Sequence, residues 1–147
     1  MLQQAYDFRD ESEALFQLME PLADADFDQA MQFKGWTLND VLGHLHMWNW
    51  AADLSMQDEA AFMEFIGRVM ADVKSGTLRS FEVNWREGLK GQELLNAWRE
   101  FYQSMAERFV DADPKLRLKW AGPDMSVLSS ITARLMETWA HGQAVYD

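Results

Sequence analysis

Gly35-Trp36-Thr37-Leu38-Asn39-Asp40-Val41-Leu42-Gly43-His44-Leu45 is the stretch on which the fold turns. Thr37 is placed to cap the free amides of a helix that begins at Leu38. Asp40 falls in its positively polarised first turn, and Trp36 can staple against Val41. The apolar spacing carries this helix to about Leu54. At 100° per residue, Leu38, Val41, Leu42, Leu45, Trp48 and Ala52 share one arc, and His44 lies at its border. His46 is about 200° further round, so the two histidines cannot face the same point. His46 reads as the bystander, on the surface.

Upstream, Ala5, Phe8, Leu15, Leu18, Met19 and Leu22 fall at helical steps, giving a first helix that ends near Pro21 and a loop through Asp24 to Lys34. Downstream, residues 57–73 read as a more exposed helix. Residues 74–91, punctuated by Gly76, Gly88 and Gly91, read as a crossover with one short helical piece. Leu94, Trp98, Phe101, Tyr102, Met105 and Phe109 recur at three- and four-residue steps, the seam of a bundle helix that Asp111, Asp113 and Pro114 terminate. A loop holding Trp120-Ala121-Gly122-Pro123 precedes a last helix from near Ser126 through Leu128, Ile131, Leu135 and Trp139. No stretch alternates convincingly as a strand would. The expectation is all-α: four main helices with a helical insertion in the crossover.

Composition agrees with a bundle. Seven Trp, nine Phe and ten Met supply a heavy apolar load, while three Pro and eight Gly leave long stretches free to be helical. A chain of 147 residues is long enough to bury its own core as a single domain, 1–147. The formal charge of −11 and the lack of clustered Lys and Arg argue against nucleic acid or an anionic membrane surface as partner. Without cysteine, any metal must be held by nitrogen and oxygen, and any thiol in the chemistry comes from outside. The first residues lack the pattern of a secretory signal and no apolar run is long enough to span a bilayer, so the expected compartment is the cytoplasm.

On the last helix Glu137 and His141 are four residues apart and lie one above the other beside the apolar arc. With His44 from a facing helix they would give two imidazoles and a carboxylate in a bundle interior, with a position left for water or substrate. Such a set suits zinc first, and nickel, manganese or iron by ligand type. Spacing alone does not choose this reading, because Glu and His at i, i+4 are more often a solvated, helix-stabilising pair. Arg134, three residues before Glu137, can orient that carboxylate, hold an anionic substrate group or pack the bundle through a salt bridge. Trp48, one turn from His44, can wall a pocket or fill the core.

The segment from Gly35 to Leu45 resembles the second-helix signature of the DinB-like superfamily, in which a tryptophan and a capping residue precede the His-Leu that supplies the first metal ligand. Ala133-Arg134-Leu135-Met136-Glu137-Thr138-Trp139-Ala140-His141-Gly142-Gln143 is similar to the end of the maleylpyruvate isomerase N-terminal metal-binding domain, and so is Trp120-Ala121-Gly122-Pro123-Asp124-Met125-Ser126 before it. The resemblance covers nearly the whole chain. It implies an up-down-down-up four-helix bundle, ligands at His44, Glu137 and His141 for one divalent metal, an external low-molecular-weight thiol, a small-molecule substrate and pairing into a homodimer.

Members that isomerise maleylpyruvate also have a C-terminal domain that contributes a substrate arginine, for which these residues offer no counterpart. A one-domain member with its own chemistry and a domain separated from its partner domain both remain open. Superfamily relatives include thiol transferases and proteins without a known reaction. The resemblance therefore implies a metal-dependent isomerase or transferase acting through thiol or water, with a non-catalytic metal-binding or protein-interaction bundle as the alternative.

Overall fold

The computed structural model describes residues 1–32 and 34–146; Phe33, inside the loop expected from Asp24 to Lys34, and Asp147 lie outside the described residues. Six helices follow in order: α1 (Gln3–Met19), α2 (Leu38–Gln57), α3 (Glu59–Ser75), α4 (Leu78–Trp85), α5 (Gly91–Val110) and α6 (Val127–Tyr146). A 3-10 turn spans Asp24–Asp28. Two short strands, β1 (Arg117–Leu118) and β2 (Met125–Ser126), pair antiparallel just before α6. That ladder was not expected, because two residues per strand are too few to show an alternating pattern.

Helix α2 starts where its cap chemistry predicts. Thr37 Oγ1 accepts from the Asp40 amide at 3.1 Å and the Asp40 carboxylate accepts from the Thr37 amide at 2.9 Å, a reciprocal capping box. The helix then runs one turn past Leu54, and Asp58 both ends it and caps α3 through the Ala61 amide. The crossover resolves into α3 and the short α4, whose first turn Thr77 caps through the Ser80 amide.

α1 packs on α5 and α6, and α2 packs on the same two, so the four long helices form the expected DinB-like bundle with α3 and α4 laid against α2. Phe8, Leu45, Trp98, Tyr102, Phe109 and Ile131 fill its centre and are fully buried. Each such side chain contributes about 1.5–3 kcal/mol when withdrawn from water. Between α1 and α5, Glu13 accepts hydrogen bonds from Arg99 at 2.9 Å, from Gln103 at 2.9 Å and from the Tyr102 hydroxyl. A second apolar cluster joins Met47, Trp48 and Ala51 of α2 to Phe62, Phe65, Ile66 and Val69 of α3. Trp120 lies parallel on Phe62 at 5.7 Å and edge-on to Trp48 at 5.7 Å, tying the loop before α6 to this cluster.

Candidate metal centre

α2 and α6 are neighbours in the bundle, and each presents its polar border to the other. His44 comes from α2, Glu137 and His141 from successive turns of α6. Glu137 Oε2 lies 3.6 Å from His44 Nε2 and 3.0 Å from His141 Nε2. All three residues offer a ligand atom within 4.8 Å of the others. Donors that share one tetrahedral cation at about 2.1 Å sit roughly 3.4 Å apart, and the spacings of this donor set are compatible with a small divalent ion. The side chains of His44 and His141 are mostly buried, at 14% and 16% exposure, while Glu137 at 40% opens toward solvent.

Electrostatics holds the cluster together without an ion. Burial pushes the His44 imidazole toward the neutral form, but the carboxylates of Glu137 and Glu82 outweigh it and raise its pKa to about 9. Hydrogen bonding to His141 and then His44 holds the Glu137 carboxyl well below the usual carboxylate range.

Three neighbours shape the site. Trp36 lies parallel to the His141 ring at 5.7 Å and edge-on to His44 at 5.7 Å, so one indole packs against both imidazoles. The sequence places Trp36 as a helix staple; its position against the two rings depends on α6 and has no signal in local spacing. Arg134 is buried, and within the described residues its Nε and Nη1 have no hydrogen-bond partner. Its guanidinium carbon stands 5.5 Å over the Trp120 ring, and burial lowers its pKa to about 10 against the pull of Glu137. Trp48 is buried in the α2–α3 cluster and donates its indole N–H at 2.7 Å to Glu82. The same oxygen of Glu82 lies 2.7 Å from His44 Nδ1. Glu82 escaped the sequence reading because it sits in the crossover, at no fixed spacing from His44; a lone acid between Phe81 and Val83 was its only trace.

His46 requires a correction. It is not a surface residue but a buried one, set edge-on to Trp85 of α4 at 5.3 Å and Phe101 of α5 at 5.7 Å. The crossover covers the face of α2 that a bare helix would expose, and burial lowers its pKa to about 4. It remains away from the cluster of His44, Glu137 and His141, as the helical angle requires.

Fold and site together define a DinB-like four-helix bundle with two histidines and a glutamate converging between α2 and α6. The chain belongs to the mycothiol maleylpyruvate isomerase N-terminal domain family, whose pattern matches residues 8–146. Two curated relatives, uncharacterized proteins of Mycobacterium tuberculosis strains CDC 1551 / Oshkosh and ATCC 25618 / H37Rv, are each 33% identical over 141 residues, 96% of this chain and 54% of theirs. A solved structure, that of a histidine-to-alanine mutant of the mycothiol-dependent maleylpyruvate isomerase, superposes with a TM-score of 0.69 at 12% identity. It covers 97% of this chain and 59% of that one, and at this identity it shows the shared fold. The chain thus spans little more than half the length of the curated relatives it matches.

Proposed function

We propose that His44, Glu137 and His141 hold one divalent cation, zinc first and nickel, manganese or iron by the same ligand types, in a metal-dependent enzyme of isomerase or transferase type. The observation that carries this reading is the spacing of the donors: 3.6 and 3.0 Å from the central Glu137 oxygen to the two imidazole nitrogens. A cation held there by His44, Glu137 and His141 would supply Lewis acidity, lowering the pKa of a thiol or water at its open position so that an anionic nucleophile would be available near neutral pH. Among the described residues the cluster has three donors and no fourth, which favours an open position for an exogenous ligand over a closed structural site. The family, and the mycothiol dependence of the isomerase that shares the fold, support a low-molecular-weight thiol and a small-molecule substrate as the partners.

This chain's own residues would then divide the work. His44 and His141 orient the centre, with Trp36 packed against both rings. Arg134, a buried guanidinium with two nitrogens unpartnered among the described residues and one turn from Glu137, is suited to an anionic group of the substrate. Trp48 stands behind His44 as a wall. No helix of the described residues is long and apolar enough to cross a membrane, and we take the setting to be cytoplasmic. The exposed apolar strip of α6, with Met136 at 56% and Trp139 at 50% exposure, is our candidate for pairing two copies.

Elemental analysis of protein never exposed to chelator tests the centre. We expect one equivalent of a divalent metal, lost on His141→Ala. Saturating zinc or nickel at a thousand times its dissociation constant should add about 4 kcal/mol to folding stability. Identical melting temperatures for metal-free and metal-saturated protein would sink the proposal.

A further inference from the structure

Outside the three donors, a buried acid on the crossover touches the cluster. Glu82 lies on α4, is 4% exposed, and places one carboxylate oxygen 2.7 Å from His44 Nδ1 and 2.7 Å from the indole nitrogen of Trp48. The indole can only donate, so that oxygen is an acceptor fixed in direction by Trp48 before His44 is considered. An acceptor there keeps the His44 proton on Nδ1. The other nitrogen, Nε2, is then the one turned toward Glu137, at 3.6 Å.

We infer that Glu82 is a positioning residue of the metal centre: through its hydrogen bond to Nδ1 it fixes the tautomer and ring orientation that present His44 Nε2 to the ion. This rests on the metal reading proposed above. Carboxylates that orient a ligating imidazole in this way raise its basicity, and their loss typically weakens metal binding about 10–100-fold. A buried carboxylate is costly unless it is hydrogen-bonded, and Glu82 meets both of its partners beside the site through the one oxygen Oε2.

Helix α4 has anchors of its own, which separates this role from simple packing. Arg79 binds Asp40 at 2.6 Å, and Thr77 caps the first turn through the Ser80 amide. Arg86 lies so close to α2 that a Cβ on Gly43 would come within 3.3 Å of its side chain. A variant that keeps the shape of Glu82 therefore has the means to keep α4 in place.

The test is a zinc titration against a competing chelator with wild type and Glu82→Gln, together with melts of both metal-free proteins and long-range proton–nitrogen spectra of the three histidines in the zinc-loaded wild type. We expect Glu82→Gln to bind zinc about 10–100-fold more weakly. The wild-type spectrum should show His44 protonated at Nδ1 and coordinated through Nε2. The inference is overturned if the variant binds zinc within about threefold of wild type, whatever its melting temperature, since a merely structural acid would lower stability and leave affinity alone. Zinc on Nδ1 in the wild-type spectrum overturns it without reference to any variant. If the wild type itself takes up no zinc, the metal reading falls and takes this inference with it. That outcome is distinct from a wild type that binds and a variant that binds equally.

Discussion

Glu13 lies outside the cluster of His44, Glu137 and His141, and its charge is used to join two helices of the bundle. Its hydrogen bonds from Arg99, Tyr102 and Gln103 join α1 to α5, and the Arg99 bond above all holds its carboxyl below the ordinary value of 4.5. A depressed carboxyl stabilises the fold above its unfolded pKa, and the contribution is lost as pH falls below about 4.5 and through the lower folded value. Glu13→Gln should therefore cost about 2 kcal/mol at pH 7, with a gap to wild type that narrows progressively in acid. Urea denaturation between pH 7 and pH 3 reads this directly, and a gap that stays constant would mean the charge is irrelevant. Single residues were the hardest level to read from sequence. The i, i+4 pair of Glu137 and His141 is local and visible, but the burial of His46, the reach of Glu82 and the place of Trp36 against two imidazoles are made by contacts between helices.

Helices, by contrast, announce themselves locally. The capping box at Thr37 and Asp40, the apolar seam of α5 and the terminators after Phe109 are all short-range signals, and the structure places the corresponding ends within a turn of expectation. Boundaries slipped at the α2–α3 junction, where Asp58 serves both helices and only three-dimensional packing decides which turn is last. The start of α5 shows what else spacing hides. Gly91 has φ +58°, its amide donates to Asn39 at 2.8 Å, and a Cβ there would come within 2.4 Å of the Asp24 carboxylate that caps the Gln92 amide. Gly91 was read only as punctuation. Gly91→Ala meets both an unfavourable backbone region and a collision, and should destabilise the fold by about 2 kcal/mol or more. Thermal melts check it; a variant as stable as wild type would show that the Asp24 contact yields freely.

At the scale of the molecule, the bundle was legible because four amphipathic helices with short apolar seams have few ways to cover one another. What a surface touches was not. Met136 and Trp139 on α6 are exposed beside the partly buried Leu135, on the helix that carries Glu137 and His141. If two copies pair through these side chains, sedimentation equilibrium should report a dimer at tens of micromolar, and Trp139→Lys should return a monomer with an unchanged melt. Wild type that sediments as a monomer throughout that range would discard pairing.

The arrangement of donors along the chain has a temporal consequence. His44 belongs to the second helix and Glu137 and His141 to the sixth, so on the metal reading proposed above both α2 and α6 must be translated and packed together before a cation meets its full set of ligands. Ion capture would then follow the docking of α6 on α2 rather than seed it, and an intermediate lacking α6 would offer an ion only one of the three side chains.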